Sequence, residues 1–359
     1  MKMHGAHEET EAKLGVFEKY LTLWIGVCIV IGLLLGNFVP TIVSFLNSVT
    51  IAALGYLPLP IGIFLFLMMY PTVAAIEFGE IKKAAKTPKP VILTLVANWV
   101  IAPPLMVLLT RIFLSNYPEF AAGAILLGIA PCTAMVLFWI MFARGNVAQG
   151  LVITAINALS IIILYSPSAA FFLGLSGIQV PISLIVIDVF LFVGLPVALG
   201  LVLRRELTKR RGGEWYNNVY LRVMHKLAMV ALLGTLIVLF SYKGQTILQQ
   251  PLIVGLIAVP LLFHYFIMVS LLFGTTWLLN WGYEMSVTST LIGSSSHFEI
   301  AITVAITVFG LTHGAALATV IGPLLEVPLM VTFAKIALRT RRRFPRNDPK
   351  PKSSKREVL

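Results

Sequence analysis

Two residues of this 359-residue chain, Cys132 and Glu299, each sit inside a long apolar run. Around the first the sequence reads Gly128-Ile129-Ala130-Pro131-Cys132-Thr133-Ala134-Met135, and around the second Ile292-Gly293-Ser294-Ser295-Ser296-His297-Phe298-Glu299. Pro131 removes a helix hydrogen bond and clashes with the preceding turn, so a helix through it kinks or breaks. A break at membrane depth survives only where protein or a water-filled cavity satisfies the freed backbone groups. It also turns a helix N-terminal dipole towards whatever binds there. A thiol at such a terminus is favoured as thiolate, the form that ligates soft elements and acts as a nucleophile. A carboxylate inside a membrane either remains charged at high cost or takes up a proton, which makes Glu299 a switch.

The remaining candidates are polar residues near these breaks or in other apolar runs. Pro131, Thr133, Ser295 and Ser296 belong to the breaks themselves. His297, two residues from Glu299, reads first as a neutral hydrogen-bond donor and second as a proton shuttle. Asn98 and Asn157 fit cavity lining and interhelical hydrogen bonding equally well. Glu326, between Pro323 and Pro328, lines a cavity or bonds backbone that those prolines free, and Asp188 is similar with a structural role to the fore. Cys28 and His264 read as core residues. No metal or organic cofactor is expected, and the absence of a Walker A sequence argues against direct ATP drive.

The elements that position these residues follow from composition. Hydrophobic residues make up 58% of the chain and charged residues 12%, about half the charged share of an ordinary globular domain. Apolar runs recur from Leu21 to Leu338, and a run of roughly 18 or more such residues reads as a membrane span. This excludes a soluble enzyme, a disulfide-stapled secreted domain and a disordered chain. The net charge of +12 sits in a few loops and the C-terminal tail, the pattern of a topology signal rather than of a nucleic-acid surface. The first run follows a head containing Glu8, Glu9, Glu11 and Glu18 and lacks a basic n-region and a cleavage site, so it is expected as a retained helix.

Gly/Pro punctuation and charge divide the chain into segments at about 21–39, 56–78, 90–114, 121–142, 148–172, 180–203, 223–241, 252–279, 285–310 and 315–338. The stretch from Thr41 to Leu57 fits a further short span or an amphipathic lead-in. With ten spans and both termini cytoplasmic, only Arg111 and Lys243 of all the Lys and Arg residues lie outside. Making 41–57 a span reverses this and violates the positive-inside rule. The chain then divides into an N-terminal segment (1–20), a first repeat with the sixth helix (21–203), a basic cytoplasmic loop (204–222), the remaining helices (223–338) and a basic tail (339–359), whose Arg339–Arg343 run also suits anionic lipid. Five segments precede the sixth and five make the second half. An odd number per half inverts the second relative to the first, as in many secondary transporters, whose sites lie at interrupted helices near the midplane. The interruptions fall in segments four and nine, corresponding positions in the two halves.

At these residues the chain resembles the arsenite efflux transporters of the bile acid/arsenite/riboflavin transporter superfamily. The resemblance rests on Leu67-Met68-Met69-Tyr70-Pro71, Asn98-Trp99-Val100-Ile101, Ala130-Pro131-Cys132-Thr133-Ala134-Met135-Val136, Phe298-Glu299-Ile300-Ala301 and Ile321-Gly322-Pro323-Leu324-Leu325-Glu326-Val327-Pro328. It covers about residues 15–340. It implies an all-α fold of ten transmembrane helices in two inverted five-helix repeats, with the fourth and ninth helices broken and crossing. It also implies export of trivalent arsenic, and often antimony, across the plasma (inner) membrane in exchange for protons. The family's essential cysteine and glutamate fall on Cys132 and Glu299.

Trivalent arsenic is thiophilic, so one thiolate gives selectivity while leaving the bond reversible. Arsenite bound at Cys132 would be displaced when a proton from outside reaches Glu299 or the thiolate. The nearest rival is a sodium-coupled organic-anion symporter of the same superfamily, with oxygen ligands from Ser294–Ser296. Two other classes are an intramembrane hydrolase using Cys132 with His297 as base, and a passive channel, which would have no need of Glu299.

Overall fold

The computed structural model describes residues 21–39, 41, 57–75, 88–133, 135–249, 251–311 and 313–344. The N-terminal head, most of 41–57, Lys82, Lys83 and Lys86, and the tail beyond Phe344 lie outside the described residues. Among those described, every regular element is a helix.

In chain order these are α1 (Leu21–Phe38), α2 (Leu59–Ala74), α3 (Pro88–Phe113), α4 (Pro118–Ile129), α5 (Val136–Phe142), α6 (Val147–Leu175) and α7 (Ile182–Arg211). There follow α8 (Leu221–Gln249, entered through Gly213–Trp215 and a π-turn at Tyr216–Tyr220), α9 (Pro251–Leu278), α10 (Tyr283–Ser294), α11 (Phe298–Phe309) and α12 (Gly314–Thr340). The helices α3, α6, α7, α8, α9 and α12 are each long and apolar enough to cross a membrane, since about 20 residues span the hydrocarbon core.

The distribution of side chains is inverted relative to a soluble protein. Ile163 is 71% exposed and Leu278 72%, whereas Thr94, Asn157, Asp188, Ser286 and Glu326 are buried. Lipid as the outer solvent explains both halves of that pattern, because apolar side chains face it without cost and polar ones turn inward to partners. With six helices long and apolar enough to span, this makes the chain a multi-pass membrane protein.

Helix α8 lies along α1 and α2. The approach to α1 is set by glycine: a Cβ on Gly36 would run into the carbonyl oxygen of Ser241. Small residues of this kind let helix backbones come together where no hydrophobic effect drives them. Helix α4 packs on α12 and α11, and α10 packs on α9 and α3. Two long helices carry π-turns, at Ala97–Ile101 in α3 and at Phe190–Gly194 in α7; neither was legible beforehand, since no residue type marks an extra residue in a helical turn.

The ends of the bundle are tied by polar contacts. At one end the Arg204 guanidinium donates to the Ala75 carbonyl, the Tyr283 hydroxyl to Ala143, and Arg341 faces Glu284 at 3.6 Å. At the other, Gly314 N–H donates to Glu119 and Arg111 donates to the Leu175 carbonyl. The stretch 204–222, expected as a loop, is instead helical except for Gly212, which has φ 85°. Arg, Lys and Glu are good helix formers, and one glycine in a left-handed conformation suffices to reverse direction.

Candidate functional site

Both interruptions are real breaks. Between α4 and α5 the chain leaves the helix at Ala130, and between α10 and α11 it does so at Ser295–His297. The two extended stretches lie against each other as an antiparallel bridge between Pro131 and Ser296. His297 N–H donates to the Ala130 carbonyl at 2.8 Å, and Cys132 N–H donates to the Ser295 carbonyl at 3.4 Å. Each break therefore supplies hydrogen-bond partners to the other, which is how unwound backbone is tolerated away from water.

Side chains from other helices complete the satisfaction. The Asn157 amide on α6 donates to the Cys132 carbonyl at 3.2 Å, and Asn98, in the π-turn of α3, donates to the Asn157 oxygen at 3.4 Å. Ser296 N–H, which faces proline across the bridge, donates to Glu326 Oε1 at 2.9 Å. The Tyr265 hydroxyl on α9 donates to Glu326 Oε2 at 3.0 Å and lies 3.4 Å from the Ser296 hydroxyl. Glu326 thus clamps the second break from α12, bonding backbone of Ser296 rather than the backbone that Pro323 and Pro328 free in its own helix. Tyr265 was missed in the sequence. Its signal was a polar-tipped aromatic in the middle of an apolar run, which demands a partner when buried.

The Cys132 thiol is buried, within hydrogen-bonding reach of the Ser295 side chain and of the backbone of Val136, the first residue of α5. It therefore faces the first turn of α5. Glu326 and Glu299 are both close enough to act on it electrostatically. Glu299 is buried in the first turn of α11. His297 Nδ1 is 2.8 Å from Glu299 Oε2, but neither ring nitrogen makes an aligned hydrogen bond. The two side chains are thus in close contact without an aligned hydrogen bond between them. Thr133 is buried with its hydroxyl unpartnered, while Ser294 and Ser295 bond back to carbonyls of α10.

The crossing also encloses a cavity that holds no more than about one water molecule, walled by Asn98, Pro131, His264, Ser294, Ser295 and Ser296. It is too small for a solute of four heavy atoms. Asp188 is the one predicted residue that the structure sets apart from the crossing: its Oδ1 accepts from Thr307 at 3.1 Å, further along α11. Cys28 lies in α1, buried among apolar neighbours. A single thiol, a carboxylate pair and a histidine at paired breaks suit a site that binds a small solute reversibly and exchanges protons.

The sodium bile acid symporter family profile matches residues 62–250. An uncharacterized transporter from Synechocystis is 43% identical, over 94% of this chain and 92% of that protein. Proteins named "Arsenical-resistance protein Acr3" are 39% identical in Alkaliphilus metalliredigens, over 92% of this chain and 95% of that protein, and 32% identical in Corynebacterium glutamicum, over 97% and 95%. The matched family is one of symporters and the Synechocystis relative is named a transporter, which removes the hydrolase reading of Cys132 and His297. The chain belongs to the sodium bile acid symporter family and, within it, to the arsenical-resistance permeases.

Proposed function

We propose that this transporter exports trivalent arsenic, as arsenite, across the plasma membrane in exchange for protons. The observation that carries the reading is the juxtaposition of one thiol at a helix N-terminus with two buried carboxylates, at the meeting of two broken helices. The named relatives support the cargo.

In this reading the cargo reaches Cys132 from the cytoplasmic side. The thiolate attacks arsenic and a hydroxide leaves as water with a proton from the site, so the metalloid is held by one As–S bond. A proton arriving from outside at Glu299 is passed to the sulfur, and the water that re-adds to arsenic returns its spare proton to the site group that gave one up on loading, so the As–S bond breaks and arsenite is released outward. The proton then leaves to the cytoplasm on return. Glu326 holds the second break throughout, and its bonds to Ser296 and Tyr265 keep the crossing in register.

The fold accompanying this function is ten spans in two inverted five-helix repeats with cytoplasmic termini. The contacts at the bundle ends support it: Arg204, Ala143, Glu284 and Arg341 belong to one side under that topology, and Arg111, Glu119, Leu175 and Gly314 to the other.

The test is arsenite uptake into everted membrane vesicles under an imposed proton gradient. Loss of about tenfold or more in both Cys132→Ser and Glu299→Gln, with both proteins inserted normally, is the expected result. If the wild type moves no arsenite but accumulates an organic anion with sodium, the coupling named by the family description replaces this reading.

A further inference from the structure

Asp188 is fully buried, in α7, two residues before the start of the π-turn at Phe190–Gly194. Its Oδ1 accepts the Thr307 hydroxyl, while Oδ2 has no hydrogen-bond partner. The helices packed against this part of α7 are α6 and α11. Their titratable side chains are Tyr165, which bonds to the Leu126 carbonyl, and Glu299. No cation stands on either, so a charged Asp188 would be uncompensated in a medium where that is costly.

The carboxyl is not isolated from the site. Glu299, Thr303 and Thr307 recur every four residues on α11, so they form one buried stripe that ends at Asp188. Thr303 is anchored by its hydroxyl to the Glu299 carbonyl at 2.8 Å, and Thr307 by its hydroxyl to Asp188. Eight residues of helix separate Glu299 from Thr307, about 12 Å, in two steps of four residues and about 6 Å each, close to the span of one bridging water between successive side-chain oxygens. Extra-residue π-turns occur frequently at functional sites because they break the helical ladder and re-aim side chains. Under the ten-span topology Asp188 and Thr307 lie in the outer half of the bundle, between Glu299 and the external side.

We infer that Asp188 is a second proton-holding carboxyl, a positioning and relay residue that loads the external proton and passes it along the Thr307–Thr303 stripe to Glu299. In the transfer Asp188 gives up its proton and becomes a carboxylate, and Glu299 gains one; the next proton from outside restores Asp188. This rests on the proton-antiport reading above and adds a carboxyl that binds no arsenite.

The discriminating variant is Asp188→Asn, which keeps the bond from Thr307 and the shape of the side chain but cannot release a proton. Two readouts in vesicles separate the roles: arsenite accumulation driven by a pH gradient, and exchange of labelled for unlabelled arsenite at equal pH on both sides, which needs no net proton movement. The inference expects gradient-driven accumulation to fall about tenfold or more while exchange stays near wild type, with Asp188→Glu recovering part of the accumulation. Both readouts unchanged in Asp188→Asn would overturn it, as would both falling together without recovery in Asp188→Glu, which would mark Asp188 as a packing residue. A wild type that exchanges arsenite but ignores the pH gradient would instead remove proton antiport itself, and the relay with it.

Discussion

Glu326 offers a direct test of how the broken helices are held. Its two oxygens take one bond each, from Ser296 N–H and the Tyr265 hydroxyl, and all three residues are buried. Glu326→Ala leaves both donors without that acceptor. Each unsatisfied buried group costs about 1–3 kcal/mol, and interhelical bonds in membranes fall towards the low end, about 0.6–2 kcal/mol. Tyr265 retains the Ser296 hydroxyl as a second acceptor at 3.4 Å. Together with the cavity left by the side chain, the expected loss is about 2–4 kcal/mol. Glu326→Gln behaves differently. Its amide oxygen accepts from Ser296 N–H, and its amide nitrogen donates to a Tyr265 oxygen that turns its own proton to Ser296, so the loss is below about 1 kcal/mol. The assay is thermal unfolding of the detergent-solubilised protein, followed by fluorescence-detected size exclusion. An alanine variant several degrees less stable, beside a glutamine variant near wild type, is the expected pair. Equal destabilisation by both would refute the argument, since it would place the stabilisation in the charge of Glu326 rather than in its bonds.

Two further outcomes follow from the packing. Gly36→Ala drives a methyl into the Ser241 carbonyl and should lower thermal stability by about 2 kcal/mol or more, whereas Gly26→Ala, whose added Cβ meets nothing within 4 Å, should be neutral or stabilising by up to about 1 kcal/mol. Asn157→Leu removes the donor to the Cys132 carbonyl and the acceptor for Asn98. It should cost about 1–3 kcal/mol and speed labelling of Cys132 by a small maleimide, while Asn157→Gln falls between; an unchanged labelling rate in Asn157→Leu would mean that the first break is held without it.

How much of the site was readable in advance depended on whether the signal was local. Pro131 announces its own break, because the missing N–H and the ring clash belong to that residue wherever it sits. The Ser294–His297 run announces the second, because four polar residues in an apolar helix need partners. The place of Glu299 in mid-run marked it as chemically unusual for the same reason. By contrast, the sequence leaves Glu326 between cavity lining and backbone support and gives Tyr265 no distinct role, because their meaning lies in what they touch. The basic stretch 204–222 reads as a loop from its charge, yet its residues are good helix formers and only Gly212 leaves the helix.

Residue type and spacing alone place this chain in a membrane, call for helix interruptions at Pro131 and within the Ser294–His297 run, and mark a thiol and a carboxylate beside them. Each is a property of residue type and spacing along one segment, since lipid demands apolar runs and a proline breaks its own turn. Tertiary packing alone settles that the two interruptions meet, that the Ala130 carbonyl accepts from His297 N–H and the Ser295 carbonyl from Cys132 N–H, and that Asn157, Glu326 and Tyr265 satisfy the rest. Those partners come from helices far apart in the chain. A buried polar group specifies that it must be paired, and the packing of the helices selects the group that pairs with it.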